Sequence, residues 1–110
     1  MAEIIILPSF QEKLSRIKDK AHLNLIYKLT KKLSVMGKSA LKILSVADNY
    51  LLCELKVMRP PYRLYVVADQ ATERYYPLAW EHKQNQDKII SELKEKLEQI
   101  TKLGFDRAFT

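Results

Sequence analysis

An arginine interrupts a run of residues that otherwise looks suited to a hydrophobic core. The stretch LKVMRPPYRLYVVAD, residues 55–69, places Arg63 after two prolines, within an aromatic and β-branched segment. The planar guanidinium of arginine binds phosphate oxygens bidentately and keeps its charge at any relevant pH, so Arg63 could stabilise a phosphate under attack. A strand arginine is more commonly paired with a carboxylate, and Glu54 is an available partner. The sequence leaves both roles open.

Other cations and phenols lie close to this arginine, and strand alternation predicts that several of them share one face of a sheet. Lys56 and Arg59 precede it, and Arg74 begins the next strand-like run. Tyrosine rings such as Tyr65 and Tyr76 stack on bases in some RNA-binding proteins, although they serve more often as half-buried packing residues. A cationic sheet face with phenol rings would suit a scissile phosphate in RNA.

A histidine and a lysine follow the last strand-like run, in the stretch AWEHKQNQDK at residues 79–88. His82 is the best candidate for a general acid or base, because imidazole titrates near neutral pH and His22 falls on the predicted helical hairpin. Lys83 stands beside it on a loop, where side chains can reach a substrate. A loop histidine is usually just solvated, so a catalytic role needs other groups to converge on it.

The composition narrows the class of protein. The chain has 110 residues, which fits one domain over residues 1–110, and 19 Lys and Arg against 13 Asp and Glu give a net charge of +6. This charge attracts polyanions such as nucleic acid. The single cysteine supports neither a disulfide framework nor a zinc site and suits a reducing cytoplasm. No run of about 18 apolar residues predicts a membrane span, and no Walker loop or dinucleotide motif predicts a cofactor.

Periodicity predicts the elements that would position these residues. Residues 3–7 form a β-branched run typical of a strand. A helix is expected to follow, with Ser9 and Glu12 at capping-box spacing. A second apolar stripe of helical period ends at Gly37, which is suited to a C-cap. These two helices predict a hairpin with a basic outer surface, followed by a loop of undetermined structure at residues 38–48.

Three strands and a final helix complete the predicted fold. The strands are expected at residues 50–58, 62–68 and 74–80, and their closeness in sequence favours an antiparallel meander. The final helix is expected to begin near Asn85 or Asp87. The result is an α+β domain, in which a small, mostly antiparallel sheet is covered on one face by the N-terminal helical hairpin and the C-terminal helix.

The order of these segments resembles that of the RelE/ParE superfamily, the toxins of bacterial and archaeal type II toxin–antitoxin systems. The matching stretches are EIIILPSFQEKLSRI for the first strand and helix, LCELKV for an E-L-R-like strand, PYRLYVVAD for a Y-R-x-Y strand, and LAWEHKQNQDKIISELKEKLEQI for the terminal strand, basic loop and helix. Together they span nearly the whole chain.

The resemblance implies a RelE-like toxin that binds messenger RNA in the ribosomal A site and cleaves it without a metal or another cofactor. The ribose 2′-OH would attack the adjacent phosphate, which gives a 2′,3′-cyclic phosphate and a 5′-OH. By position in the motifs, Arg63 would stabilise the transition state, Lys56 would replace the E-L-R arginine, and His82 would be the acid or base. Glu54 would orient a cation or share the proton transfer. The residues then expected to contact RNA are Lys83, Arg59, Arg74, Tyr65, Tyr76 and Arg107.

The family also implies partners and alternatives. A toxin of this type has a cognate antitoxin and acts on the ribosome and messenger RNA in the cytoplasm, with no membrane involved. Lysine at position 56 lacks the bidentate fork of arginine, and Trp80 replaces the usual phenylalanine. Two alternatives therefore stay open, which are a ParE-like toxin that acts on DNA gyrase and a basic RNA-binding module without catalysis.

Overall fold

The strands and helices follow the apolar periods of the sequence and end at its turn residues. A computed structural model describes residues 2–109. Its strands and α-helices are, in chain order, β1 (Glu3–Ile4), α1 (Pro8–Ser15), α2 (Lys20–Met36), β2 (Lys42–Ala47), β3 (Tyr50–Val57), β4 (Tyr62–Asp69), β5 (Arg74–His82) and α3 (Gln86–Ala108), and short 3₁₀ helices follow α2 (Gly37–Ala40) and β5 (Lys83–Asn85). No helix in this part of the chain is long and apolar enough to cross a membrane.

The five strands form one sheet in the order β1-β5-β4-β3-β2. Strands β2 to β5 pair antiparallel with their sequence neighbours, and β1 adds a short parallel edge beside β5. The predicted α+β class and the antiparallel meander are confirmed. The meander matters for function because it fixes which side chains of β3, β4 and β5 stand opposite one another.

The helices cover both faces of the sheet, which corrects the expectation that they share one face. The α1–α2 hairpin packs through Phe10 and Ile26 onto Leu64 and its neighbours. Helix α3 packs through Leu93 and Leu97 onto the opposite face, which carries the buried side chain of Tyr65. The reason is that β3, β4 and β5 have apolar side chains on both faces, so each face needs its own cover.

The start of α1 differs from the capping-box prediction. The helix begins at Pro8 with Leu7 as its N-cap, and no side chain caps it. Proline is favoured at the first helical position because it has no N–H to satisfy there, so the helix begins before Ser9 can cap it. The end of α2 is as predicted: Gly37 is the C-cap, and its φ of 59° lies in the region that favours glycine.

Strand β2 occupies most of the segment that the sequence left as an undetermined loop. It pairs with β3 at the edge of the sheet, with a register shift between Ile43 and Ser45. Ile43 and Val46 are exposed. The shift interrupts the alternation of apolar and polar residues that would predict a strand.

The buried thiol of Cys53 should make stability depend on pH at the alkaline end. Burial raises the pKa of Cys53 from 9.0 to about 12, so the unfolded chain loses this proton before the folded protein does. Its contribution to the free energy of unfolding is complete below pH 9 and is lost as the pH rises toward 12. Urea unfolding should show wild-type stability falling with pH more steeply than that of Cys53→Ala, by up to about 1.4 kcal/mol per pH unit. Equal slopes would contradict the assignment.

Candidate nucleic-acid interface

Arg63 is enclosed by the protein near the start of β4, with 4% of its surface exposed. Its Nη1 donates to the carbonyl oxygens of Tyr62 and Val57 at 3.1 and 3.3 Å. Its Nε lies 4.0 Å from Oε2 of Glu54, which is also buried. Of the two roles that the sequence left open, this geometry is that of the ion pair. A phosphate could reach the guanidinium only in a conformation in which this cluster opens.

Glu54 and Tyr65 complete a buried polar cluster with Arg63 on the sheet face that α3 covers. Glu54 stands opposite Tyr65 in the β3–β4 register, and Lys56 stands opposite Arg63. Three buried atoms of the cluster make no hydrogen bond within residues 2–109: Glu54 Oε2, Arg63 Nε and the Tyr65 hydroxyl. Burial, and then the nearby charge of Glu54, raise the pKa of Tyr65. Burying these two charges costs free energy of folding, and each charge is compensated mainly by the other.

Three further predicted RNA contacts lie away from this cluster or inside the core. Tyr76 is buried and stacks on Phe105 of α3, with ring centroids 3.7 Å apart. Arg74 pairs with Glu3, with 3.2 Å between Nε and Oε2, at the opposite end of β5 from the histidine that ends it. Arg107 is exposed near the end of α3. The ring of Tyr65 is fully buried as well, so neither phenol is placed to stack on a base.

Four predicted residues do come together, at the end of the sheet where β3 stops, β4 begins and β5 stops. Lys56, Arg59 and Lys83 are exposed there, and His82 is half-buried. The backbone N–H of Lys83 donates to the carbonyl oxygen of Pro61 at 2.8 Å, which ties the loop after β5 to the β3–β4 turn. We call these four residues, Lys56, Arg59, His82 and Lys83, the basic end.

His82 and Arg63 lie on opposite faces of the sheet. In the β4–β5 register His82 stands opposite Tyr62, whereas Arg63 stands opposite Glu81. The His82 ring packs edge-on against the Tyr62 ring at 5.2 Å, and its Nδ1 accepts a hydrogen bond of 3.0 Å from the backbone N–H of Gln84. Because Nδ1 is an acceptor, the neutral ring carries its proton on Nε2. In this state Nε2 is a hydrogen-bond donor, and the ring can transfer a proton only when both nitrogens are protonated.

An aromatic cluster adjoins the basic end on the face that the helical hairpin covers. Tyr62 and Trp80 stack with centroids 5.0 Å apart and an interplanar angle of 19°. His22 of α2 packs edge-on against Tyr62 at 4.5 Å, and its Nδ1 accepts a 2.9 Å hydrogen bond from Trp80 Nε1. Sequence reasoning placed His22 only on the hairpin and did not connect it to Trp80. The signal lies in the strand register, which makes Trp80 a neighbour of Tyr62 on one face.

This cluster forms one wall of a groove with a volume of about 430 Å³. Three cations from α1 and the loop after it also line the groove: Lys13, Arg16 and Lys18. We call this feature, with Tyr62, Trp80 and His22, the aromatic groove. Asp19 and Glu81 also border it. Phosphates are attracted by cations and bases stack on aromatic rings, so such a groove suits single-stranded nucleic acid better than duplex.

No group of three or more His, Cys, Asp or Glu side chains within residues 2–109 is placed to hold a metal ion.

The comparisons with known proteins do not assign this arrangement to a family. No family model matches the chain, and no curated protein matches it significantly.

Proposed function

We propose that the protein is a toxin of the RelE/ParE type, which inhibits translation by binding messenger RNA on the ribosome and cleaving it. The observation that carries the proposal is the basic end, where Lys56, Arg59 and Lys83 are exposed at the same end of the sheet as His82. Exposed cations gathered at the open end of a sheet can contact successive phosphates of one strand. The order of motifs along the chain supports the toxin assignment.

The proposed chemistry uses three groups of the basic end, with Arg59 and Lys83 as cations and His82 as the acid. The ribose 2′-OH loses its proton to water and attacks the adjacent phosphorus, the bond from phosphorus to the 5′-oxygen breaks, and a 2′,3′-cyclic phosphate forms. Arg59 and Lys83 stabilise the charge that develops on the phosphate oxygens. His82 acts as the acid in its protonated form, in which Nδ1 also carries a proton and no longer accepts from the backbone N–H of Gln84, and Nε2 donates to the departing 5′-oxygen.

Binding without cleavage is the second candidate, and the burial of Arg63 favours it. The residue that would stabilise the transition state in the family is engaged with Glu54 and with backbone carbonyls. A protein that keeps the cations but encloses this arginine would bind RNA and block the ribosome without cutting. The two candidates share the basic end and differ only in whether the RNA is broken.

A cognate antitoxin in the same cytoplasm is part of the proposal. An acidic segment of such a partner would compete with RNA for the basic end, because both carry negative charge. An adjacent reading frame that encodes a small acidic protein would be the place to look for it. Co-expression of the pair should give a complex that elutes as one species and no longer binds RNA.

Charge reversal at the basic end should weaken RNA binding. We expect Arg59→Glu and Lys83→Glu each to lower the affinity for a single-stranded RNA by about tenfold, because each loses a charge-assisted phosphate contact. The slope of log affinity against log salt should also fall by about 0.7 for each lost contact. Fluorescence anisotropy measures both quantities. Lys94→Glu, the same change at an exposed position of α3, is the matched control. An equal loss of RNA affinity in Lys94→Glu would mean that the basic-end variants act only through the net charge of the protein.

The function itself is tested by mapping the 5′ ends of a messenger in a reconstituted translation reaction. Cuts that appear only when ribosomes are present support the nuclease. Stalled translation on an intact messenger that cross-links to the protein supports binding without cleavage. Unimpaired translation on an intact messenger would overturn both candidates and leave the alternative of DNA gyrase, tested by supercoiling.

A further inference from the structure

We infer that the aromatic groove holds one unpaired nucleotide of RNA, with its base against the Tyr62–Trp80 pair and its phosphate beside Lys18. The inference deepens the proposed function and rests on it, because the basic end would hold the rest of the strand. It concerns a different sheet face from the one that carries Arg63, Glu54 and Lys56.

The aromatic wall is held in place before any ligand arrives. Tyr62 and Trp80 are near parallel, and His22 fixes the indole through the 2.9 Å hydrogen bond from Trp80 Nε1. Both residues are only half-buried, so this aromatic surface is partly open to solvent. Stacking on a rigid ring costs little conformational entropy, which favours binding of a base.

The cations of the groove are not equally available for a phosphate. Lys13 Nζ donates to the carbonyl oxygen of Leu78 at 3.0 Å, and Arg16 pairs with Glu12 on the preceding turn, in α1. Lys18 is exposed and makes no ion pair with any residue from 2 to 109 in this structure. It is therefore the side chain that can turn to a phosphate without breaking a contact.

The acidic groups at the groove do not prevent a phosphate from binding beside Lys18. Asp19 is occupied as the N-cap of α2, where Oδ1 accepts from the backbone N–H of Ala21 at 2.9 Å, and its Oδ2 lies 3.8 Å from His22 Nε2. Glu81 borders the groove but follows Trp80 on the strand and stands opposite Arg63 in the sheet register, and its charge also acts on Tyr65, on the face that α3 covers. A volume of about 430 Å³ lies in the range of small-ligand sites and suits a single nucleotide. An acidic peptide could pair with the cations, but its carboxylate side chains would not stack on the aromatic rings.

The chain carries its own reporter for the test, because Trp80 is its only tryptophan. Titration with an eight-nucleotide oligouridylate should quench Trp80 fluorescence in parallel with the binding seen by anisotropy of a labelled strand. Tyr62→Leu should lower the affinity about tenfold through lost stacking, and Tyr62→Phe should retain it. Lys18→Glu should weaken binding by a similar factor. Lys94→Glu is again the matched control, and thermal melting confirms that each variant is folded.

The outcomes distinguish failure of the groove site from failure of the proposed function. Binding by anisotropy with unchanged Trp80 fluorescence, and with Tyr62→Leu equal to wild type, would overturn the groove site and leave RNA binding at the basic end intact. Absence of any RNA binding by the wild type would overturn both. Quenching by an oligoglutamate peptide but not by the RNA would overturn the nucleotide assignment in favour of an acidic protein segment.

Discussion

Replacing Arg63 with methionine is expected to lower the free energy of unfolding by about 3–5 kcal/mol. Glu54 would then keep a buried carboxylate whose Oε2 has no hydrogen bond and whose nearest remaining cation is Lys42, with 3.8 Å between Nζ and Oε1. Removing one partner of a buried ion pair costs far more than the pair contributes, because the other charge is left without compensation. Urea unfolding monitored by circular dichroism measures the change.

The double variant Glu54→Leu with Arg63→Met separates the pair from the packing around it. Two apolar side chains of similar volume remove both charges, so the double variant should recover most of the loss and could exceed wild-type stability. If Arg63→Met lowers the free energy of unfolding by less than about 1 kcal/mol, the value would be that of an exposed ion pair. The assignment of a buried Arg63–Glu54 pair would then be wrong.

This result changes how a functional test of Arg63 must be designed. The motif alone predicts that Arg63→Ala folds and loses toxicity. In the structure, the same substitution removes the partner of a buried carboxylate, so loss of toxicity would follow from unfolding as readily as from lost catalysis. The compensated variant Glu54→Leu with Arg63→Met is the informative one. Toxicity retained there would exclude a catalytic role for Arg63.

Much of the fold could be predicted because the elements have strong local signals. Helix α2 has an apolar stripe of helical period and a glycine at its end, and β4 is rich in β-branched and aromatic residues between clear turns. The arrangement of the helices could not be predicted in the same way. Strands with apolar residues on both faces do not show which helix covers which face.

The candidate site was harder to predict because it depends on register and burial. Spacing showed that Arg63 and Glu54 could pair, but not that α3 would enclose them. Alternation holds only while pairing is regular, and the β4–β5 pair shifts register between Tyr65 and Val66. The contact between His22 and Trp80 joins residues 58 positions apart, which no local pattern reveals. The position of Lys83 after a strand was predictable, but alternation predicted cations on one face of the sheet and not the group of Lys56, Arg59 and Lys83 at one end of it.

Replacing His82 with asparagine is expected to slow messenger cleavage by at least about 100-fold if His82 Nε2 supplies a proton in the reaction. Asparagine places its side-chain oxygen near the position of Nδ1, so it can still accept from the backbone N–H of Gln84 and keep the loop after β5 in place. It has no counterpart of Nε2. Primer extension on ribosome-bound messenger, with time points taken before the wild-type reaction is complete, measures the cleavage rate.

RNA affinity and melting temperature are the controls for the comparison of cleavage rates between wild type and His82→Asn. Both should match wild type in His82→Asn, because the substitution leaves Arg59 and Lys83 in place and the histidine is only half-buried. Cleavage at the wild-type rate in His82→Asn would remove His82 from the chemistry. Slower cleavage together with an equal loss of RNA affinity would make His82 a binding residue. A selective loss of rate would separate proton donation by His82 from phosphate binding by its cationic neighbours.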